Sequence, residues 1–405
     1  MTTIPDHNQI KRTLTQYRLC DACLGRVFKY IETGVTNRER GEHIRSTVKH
    51  TGKVETKDCW LCEGLLNEIS HFTDIIQDSL KNHEFNTFLI GSKIDEDIVK
   101  KEKETIDFSG STGSEPIKME MNREIGKILE QKLGKIVNFE TPDITAVIDT
   151  PFDVVSLQIK SLYIYGRYKK FERGIPQTRW PCRICRGKGC RSCQYTGKMY
   201  ETSVEELIAK KTLEHTKGTE EAFHGSGRED IDARMLGTGR PFVLEVKNPK
   251  VRSIDLALLH QQINTMGYGR IEVSNLRFSD AAEVARIKNA EFRKIYEVVL
   301  EAEKPLDEEK LKKVALTLQG TTIQQFTPTR VAHRRANLVR ERKIYSCSID
   351  SVEGTIAKLT IETESGTYIK ELVSGDDGNT QPNISELLNN PCKVKDLDVI
   401  AIKGE

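Results

Sequence analysis

The segment Gly227-Arg228-Glu229-Asp230-Ile231-Asp232-Ala233-Arg234 is the most informative stretch of this sequence. Glycines precede and follow it, at Gly225 and Gly237, and they allow a tight turn and the close approach of a ligand. Arg228 lies two residues before Asp230, and an arginine at this spacing can keep the aspartate carboxylate ionised and fix its orientation. The pattern predicts a charged oxygen nucleophile or base on a loop. A structural Arg–Asp pair in a glycine-rich turn has the same spacing, so spacing alone does not separate the two.

The composition describes a polar chain that still has enough apolar residues for a core. Of its 405 residues, 37% are hydrophobic and 30% are charged, and this length suits two or three domains. No run approaches the roughly 20 apolar residues of a membrane span. The first six residues lack the basic and apolar regions of a secretory signal. We therefore expect a cytoplasmic protein that does not bind membranes.

The net charge is only +2, but positive charge is concentrated in two runs. Arg167–Arg191 holds nine Lys or Arg residues and one acid, and Arg330–Lys343 holds six Lys or Arg residues, one His and one acid. Such density suggests phosphate contacts, whereas a solvated basic face is the alternative for either run alone. Because the chain also contains the Gly-Arg-x-Asp loop, the two basic runs together favour RNA as the binding partner. In the first run, the expected RNA contacts are Arg179, Arg183 and Arg186.

Eight of the ten cysteines form Cys-x-x-Cys pairs, which indicates metal rather than disulfides in a chain without a secretory signal. The first set can complete a closed, structural, tetrahedral zinc site; it comprises Cys20, Cys23, Cys59 and Cys62. Free thiols are the alternative for this set. Between its two pairs we predict a surface helix with the charged residues Arg38, Glu39, Arg40, Arg45 and Lys49.

The second cysteine set lies in a basic loop over residues 177–197. It comprises Cys182, Cys185, Cys190 and Cys193. We predict a zinc-stiffened loop that contacts RNA, and a zinc knuckle with only a folding role is the alternative. The remaining Cys347 and Cys392 lie beside apolar patterns and are predicted to be buried and inert.

The Gly227-Arg228-x-Asp230 element resembles the catalytic loop of pseudouridine synthases. The longer string through Arg240-Pro241-Phe242 resembles one branch, the archaeal and eukaryotic Pus-ten family of tRNA pseudouridine synthases. This resemblance extends from Cys20 nearly to the C-terminus and is weaker between residues 82 and 150. It implies that Asp230 is the catalytic carboxylate, that Arg228 acts beside it, and that the first cysteine set is a zinc site.

Two further motifs resemble that family. Arg293-Lys294-Ile295-Tyr296 is similar to its Lys-x-Tyr element, which implies that Tyr296 stacks on the target base. The segment 366–372 is similar to its third motif, which implies that Tyr368 contacts the nucleotide, Ile369 lines the base pocket and Lys370 pairs with Asp230. Without the family, Tyr296 would be a core-edge residue and Lys370 a surface charge. Asp232 is the rival carboxylate, at a spacing that departs from the motif.

A last family element, over residues 327–336, is rich in arginine. Its Arg330, Arg334 and Arg335 suit phosphate binding rather than base reading, and His333 is given no catalytic role.

The sequence patterns predict an α+β protein in three parts. These are a zinc-binding region over 1–65, an α/β domain over 66–172, and a catalytic domain over 173–405 with a mainly antiparallel sheet. The helix and strands around Thr141-Pro142-Asp143-Ile144 resemble a THUMP domain, which implies that the middle domain binds tRNA. Predicted helices cover 64–80, 121–133, 203–211, 281–288 and 307–318. Predicted strands cover 84–90, 135–139, 144–148, 154–164, 243–246, 295–302, 344–349 and 355–362, the last two as an antiparallel pair. A charged run over 101–115 ends in a loop over 109–114.

The resemblance implies a tRNA pseudouridine synthase that acts on uridines 54 and 55 of the tRNA TΨC arm. That isomerisation needs no catalytic cofactor, nucleotide cofactor or catalytic metal, so the zinc would be structural. Two other classes remain as alternatives: a non-catalytic tRNA-binding or chaperone protein, and a THUMP-bearing methyl- or thio-transferase. The intact set Arg228, Asp230, Tyr296 and Lys370 argues against the first. A methyl- or thio-transferase would need a glycine-rich loop after a strand to bind a dinucleotide or a phosphate, and the sequence lacks such a loop.

Overall fold

The computed structural model describes residues 7–29, 34–48, 52–330 and 336–404. The chain divides into two compact units, Met1–Lys160 with Asn248–Arg252, and Ser161–Lys247 with Ser253–Glu405. Residues 331–335 of the arginine-rich element, including His333, Arg334 and Arg335, lie outside the described residues, and so does Lys49. Within the described ranges, no helix combines the length and the apolar character that crossing a membrane requires.

The first unit consists of helices and a four-stranded sheet. Its helices are α1 His7–Gln16, α2 Asp21–Val27, α3 Asn37–Thr47, α4 Ile69–Leu80, α5 Glu96–Ser109 and α6 Ile117–Leu133. Its strands are β1 Thr87–Lys93, β2 Ile136–Val137, β3 Ile144–Asp149 and β4 Val154–Ile159. The sheet order is β2-β1-β3-β4, and β1 runs parallel to both of its neighbours. Alternate residues of β1 and β3 are buried, as expected for strands with one face against a core.

The helix predicted between the two cysteine pairs exists as α3 and exposes Arg38 and Glu39 as predicted, but two of its arginines face inward. Arg40 is buried, and the Arg45 guanidinium donates hydrogen bonds to Asp21 Oδ1 and to the Leu19 carbonyl, both at 2.6 Å. The reason is close packing of α3 on α2, because a Cβ built on Gly41 would lie 1.8 Å from the Asp21 carbonyl oxygen. The arginines therefore face a helix interface, and the prediction of exposure was wrong for these two residues.

The charged run over 101–115 belongs mostly to a helix, α5, which sequence periodicity did not reveal. Its buried face carries Ile98, Glu102, Thr105 and Ser109, so three of the four buried residues are polar. Glu102 accepts a hydrogen bond from the fully buried Arg26. Because an ion pair replaces apolar packing on this face, no hydrophobic repeat marks the helix.

The second unit is built around one large sheet. Its helices are α7 Val204–Thr216, α8 Leu256–Met266, α9 Ala281–Asn289, α10 Glu308–Leu318, α11 Ile369–Ser374 and α12 Ile384–Leu388. Its strands are β5 Leu162–Lys170, β6 Glu220–Gly225, β7 Arg234–Lys247, β8 Ile271–Ser279, β9 Arg293–Ala302, β10 Thr322–Gln325, β11 Arg340–Glu353, β12 Ile356–Thr363, β13 Thr380–Gln381 and β14 Cys392–Lys403.

The ten strands follow the order β13-β10-β11-β12-β9-β14-β7-β5-β8, with β6 beside β7. Among the described pairs only β14 and β7 run parallel, so the prediction of a mainly antiparallel sheet is confirmed. The predicted hairpin of β11 and β12 is also confirmed, with Cys347 opposite Ile361. The helices predicted at 281–288 and 307–318 are present as α9 and α10.

The strand predicted over 154–164 is instead two strands in different units. β4 ends at Ile159 in the first unit, whereas β5 begins at Leu162 and pairs with β7 and β8 in the second. Residues 161–170 therefore lie with the second unit, although the sequence placed them before the 172/173 boundary. Both strands are rich in β-branched and aromatic residues, so their composition does not reveal the break.

Candidate active site

The Gly227–Asp230 loop joins β6 to β7 and forms one wall of a cavity of about 310 Å³. Gly227 has a φ of +76°, which glycine adopts without strain. The loop closes with a hydrogen bond from the Ala233 amide to the Asp230 carbonyl at 3.0 Å. Residues from all three family-like motifs line this cavity, including Arg228, Asp230, Lys294, Tyr296, Tyr368, Ile369 and Lys370.

The Asp230 carboxylate lies between two cations. Arg330 Nη1 donates to Asp230 Oδ1 at 3.1 Å, and Lys370 Nζ lies 3.7 Å from Asp230 Oδ2. Arg330 Nε also donates to Glu371 Oε1 at 2.6 Å, so its guanidinium bridges two carboxylates. Asp230 keeps about a third of its side chain exposed to the cavity. The arrangement holds a charged carboxylate in place and leaves it accessible to a ligand.

Lys370 makes its shorter contact with the neighbouring carboxylate, because Lys370 Nζ donates to Asp232 Oδ2 at 2.6 Å. Partial burial opposes ionisation of Asp232, but the hydrogen bond and charge of Lys370 outweigh it and lower the pKa of Asp232. Asp232 is much more exposed than Asp230, with 67% of its side chain accessible against 31%. Lys370 therefore stands between the two carboxylates, and the closer cation for Asp230 is Arg330.

Between Arg228 and Asp230 in the motif, Glu229 points into the protein and holds the loop from beneath. Its carboxylate accepts from Arg240 Nε at 2.9 Å and from the Tyr168 hydroxyl at 2.8 Å, and Lys170 Nζ lies 3.8 Å away. Both ion pairs have side chains no more than 1% exposed. Arg240 also donates to the Ser226 carbonyl at 2.7 Å. This buried network ties the loop backbone to β5 and β7.

Removing the Glu229 carboxylate should strongly destabilise the second unit. In a Glu229→Ala variant, the Arg240 and Lys170 cations would be buried without their partner, and breaking a buried ion pair in this way costs about 3–5 kcal/mol. Glu220→Ala is the matched control, because the pair of Glu220 with Lys247 lies at the surface and should be worth at most about 1 kcal/mol. Urea unfolding measures both, and equal losses in the two variants would contradict the proposed network.

Strand β9 supplies Lys294 and Tyr296 on the same face of the sheet. Alternate residues of β9 are buried, and these two lie where that buried face meets the cavity. Burial raises the pKa of Tyr296 to about 12, so its hydroxyl stays protonated at neutral pH. Burial, together with the charges of Arg240 and Arg342, lowers the pKa of Lys294 to about 8. Lys294 Nζ donates to Ser365 Oγ at 2.9 Å.

The depressed pKa of Lys294 predicts a pH-dependent stability. Between pH 8 and the ordinary value of 10.5, the unfolded chain holds a proton that the folded protein has lost, so stability attributable to Lys294 rises with pH in this window. The gain reaches at most about 3 kcal/mol. Between pH 8 and 10.5, the unfolding free energy of the native protein should therefore rise by this amount relative to that of Lys294→Met. The exposed Lys403→Met is the control, and parallel pH profiles for Lys294→Met and the native protein would contradict the prediction.

The third motif enters the cavity from the start of α11. Tyr368 precedes that helix, and the buried Gln325 fixes its backbone with two hydrogen bonds of 2.9 Å, one to the amide and one to the carbonyl. Ile369 is 3% exposed and supplies an apolar wall. The glycine before this segment, Gly366, has a φ of +81° and packs against the Arg342 guanidinium.

The basic loop over 177–197 begins against the Gly227–Asp230 loop. Gln177 Nε2 donates to the Gly227 carbonyl at 2.9 Å, and the Arg228 guanidinium carbon lies 5.8 Å from the centre of the Trp180 ring. The three arginines predicted to contact RNA here, Arg179, Arg183 and Arg186, are exposed. Arg330, predicted to bind phosphate, instead contacts Asp230 and Glu371 in this structure.

Both cysteine sets have the geometry of a tetrahedral metal site. Zinc–sulfur bonds of about 2.3 Å place the sulfurs of such a site about 3.8 Å apart. Cys20 and Cys62 have sulfurs 3.9 Å apart, and in the second set the separations include 3.9, 3.8 and 3.7 Å. All four sulfurs of each set lie within 4.8 Å of one another. Each set could therefore hold one metal ion.

The surroundings of the two sets differ. The first set belongs to the hydrophobic core of the first unit, beside Leu24 and Leu61, and Arg26 Nη2 lies 3.7 Å from Cys23 Sγ. The second set lies nearer the surface, where Cys185 and Cys190 are partly exposed. Backbone amides of Gly189 and Gly197 donate to its sulfurs at 3.2 and 3.3 Å. As predicted, the isolated Cys347 and Cys392 are buried.

Sequence reasoning missed several residues that shape this site. Glu229, Arg240, Gln325 and Glu371 were given no role, and Arg330 was assigned to phosphate. Opposite charges at Glu229 and Arg240, both within the family-like string, were the available signal for their pairing. The roles of Gln325 and Glu371 depend on contacts across the fold, with separations of 43 and 41 residues respectively, which local patterns do not show.

Comparison with known proteins points to one family. A family model described as Pus10, C-terminal, matches residues 163–403, and one described as the archaeal Pus10 THUMP domain matches residues 72–149. The tRNA pseudouridine synthase Pus10 of Methanothrix thermoacetophila is 40% identical over 416 residues, covering 95% of this chain and 92% of that protein. The Methanocaldococcus jannaschii protein of the same name is 42% identical over 429 residues, covering 96% and 93%. A solved Cbf5-Nop10-Gar1 complex aligns over 49% of this chain and 45% of that chain, at 16% identity and a TM-score of 0.32.

Proposed function

This chain belongs to the Pus10 family of tRNA pseudouridine synthases, and on that premise we propose that it converts uridines 54 and 55 of the tRNA TΨC arm to pseudouridine at the Asp230 cavity. The observation that carries the proposal is that one cavity gathers Asp230, Tyr296, Ile369 and Lys370 from three separate motifs. A non-catalytic tRNA-binding protein would have no need of an ion-paired, accessible carboxylate at that point.

Asp230 is the acting carboxylate in this proposal. The reaction breaks the uracil N1–C1′ bond and forms a C5–C1′ bond, while C5 loses a proton and N1 gains one, so its atoms balance without oxidation or reduction. A carboxylate held by Arg330 and Lys370 can attack the sugar or base, or stabilise the charge that develops when the bond breaks. Arg228, at the mouth of the cavity, is assigned to the same step.

The other cavity residues bind the target nucleotide. A uridine stacked in a tRNA loop must be turned out of its stack to reach Asp230. Tyr296 offers a ring and a protonated hydroxyl to the base, and Ile369 offers an apolar wall. Tyr368 contacts the nucleotide from the start of α11. The arginines of the basic runs, Arg179, Arg183, Arg186, Arg334 and Arg335, hold phosphates.

The metal of both cysteine sets is proposed to be zinc in a structural role. Four thiolates in a tetrahedron favour zinc and leave no position open for a reacting ligand. The three-part organisation, with a zinc-binding region over 1–65, a THUMP-like domain over 66–172 and a catalytic domain over 173–405, also stays a prediction, except that residues 161–172 lie with the second compact unit. So does a cytoplasmic location, which fits the place where tRNA is found.

The positional part of the proposal is tested with three unmodified tRNA transcripts. One has both uridines, and the others have cytidine at position 54 or at position 55. Pseudouridine mapped at single-nucleotide resolution should appear at both positions in the first and only at the remaining uridine in each of the others. Modification of one position only, or of a uridine outside the TΨC arm, would contradict the assignment.

A further inference from the structure

A second, smaller cavity lies on the other side of the catalytic loop. It has a volume of about 140 Å³, and its walls include Gln177, Trp180, Arg228, Asp230, Asp232 and Lys370. Three of these residues, Arg228, Asp230 and Lys370, also line the larger cavity. A ligand in the second cavity would therefore lie next to a nucleotide bound at Asp230.

Trp180 lines this cavity and is fixed relative to the catalytic loop. Its ring packs edge-to-face with Tyr200, with centroids 5.7 Å apart, and its carbonyl accepts from the Met199 amide at 3.0 Å. Three residues earlier, the buried Gln177 donates to the Gly227 carbonyl. Trp180 and the catalytic loop are thus held by the same short segment.

The walls combine the groups that bind an unpaired nucleobase. Unpaired bases stack on aromatic rings and on arginine planes, and here the Arg228 guanidinium lies beside the Trp180 ring. Asp232 and Lys370 provide an acceptor and a donor for the polar edge of a base. Turning the target uridine out of its stack also leaves its neighbour without a stacking partner, so a base next to the target needs a new surface.

We propose that the second cavity binds the base of a nucleotide adjacent to the target uridine, stacked on Trp180. This inference rests on the proposed function and deepens it, because it assigns a second nucleotide subsite beside the catalytic one. Trp180 is a substrate-positioning residue here and takes no part in bond breaking.

The test couples changes in the protein to changes in the RNA. The substrates are TΨC-arm transcripts with a single target uridine, either intact or abasic at the 5′ or the 3′ neighbour. Trp180→Ala should lower kcat/KM on intact RNA by about tenfold or more, as expected for loss of one base–aromatic stack, and Trp180→Phe should retain most activity. On the RNA that lacks the stacked base, kcat/KM of the native protein should fall by a similar factor. On that same RNA, Trp180→Ala should lower kcat/KM by no more than a further factor of about two.

Tyr195→Ala is the matched control, because Tyr195 is 72% exposed on the same loop and lines neither cavity. It should leave the dependence on the neighbouring base unchanged. An equal loss for Trp180→Ala on intact and on both abasic RNAs would overturn the proposal, and so would no loss at all. Failure of the native protein to form pseudouridine on intact RNA would instead contradict the proposed function, which keeps the two failures distinct.

Discussion

Replacing Asp230 by alanine should abolish pseudouridine formation, with an expected fall in single-turnover rate on the order of 10⁴-fold or more. In the proposed function the carboxylate is the acting group, so the remaining cavity should bind the nucleotide without carrying the reaction. Stability should change little, because Asp230 lies on a loop with about a third of its side chain exposed and Arg330 keeps Glu371 as a partner. The rate is measured with saturating unmodified tRNA, alongside urea unfolding and tRNA affinity.

Asp232→Ala is the control for this variant. Asp232 lies two residues away and contacts the same lysine, at 2.6 Å, but it is mostly exposed. Its loss should leave substantial activity, because Arg330 still contacts Asp230. An inactive Asp232→Ala beside an active Asp230→Ala would reverse the assignment of the two carboxylates.

Loss of metal from the first cysteine set is expected to unfold the first unit. Its four cysteines are at most 2% exposed and lie within the hydrophobic core, and metal binding at such sites contributes on the order of 10 kcal/mol to folding. That contribution is comparable to the whole stability of a domain. We expect two zinc ions per chain by elemental analysis, and one in Cys59→Ser, whose first unit should be unfolded by limited proteolysis and circular dichroism.

The second cysteine set provides the comparison. Cys190→Ser should also lose one zinc ion, but it should leave the first unit folded, because this set lies near the surface of the second unit. Cys392→Ser, at a buried isolated cysteine, should retain both ions. A native protein without zinc would contradict both metal sites, and a folded first unit in Cys59→Ser would contradict the core role of the first.

The sequence predicted those parts of the fold that have a local signature. The helix at 117–133 has a regular apolar repeat, and the β11–β12 hairpin has alternating residues. Helix α5 has a mainly polar buried face, in which Glu102 pairs with Arg26, so its periodicity was hidden. Strands β8 and β14 were not predicted, although β14 lies between β9 and β7 in the sheet.

The same distinction applies to the site. Asp230, Tyr296 and Lys370 were found because each belongs to a short motif, and the structure brings all three to one cavity. The partner of Asp230 was not predictable in this way. Arg330 comes from a segment that reads only as basic, 100 residues from Asp230, and the contact depends on how the strands are ordered. Glu229 faces inward because its partners Arg240 and Tyr168 are buried, which the motif alone does not show.

The most direct test of the central claim follows the hydrogen at C5 of the target uridine. Isomerisation at the Asp230 cavity joins C5 to the sugar, so a tRNA transcript with tritium at C5 of its uridines must release one tritium for each pseudouridine formed. We predict that the native protein releases tritium in step with pseudouridine recovered from the digested RNA, and that Asp230→Ala releases none above background. Equal release by Asp230→Ala, or no release by a folded native protein that binds the tRNA, would contradict the account.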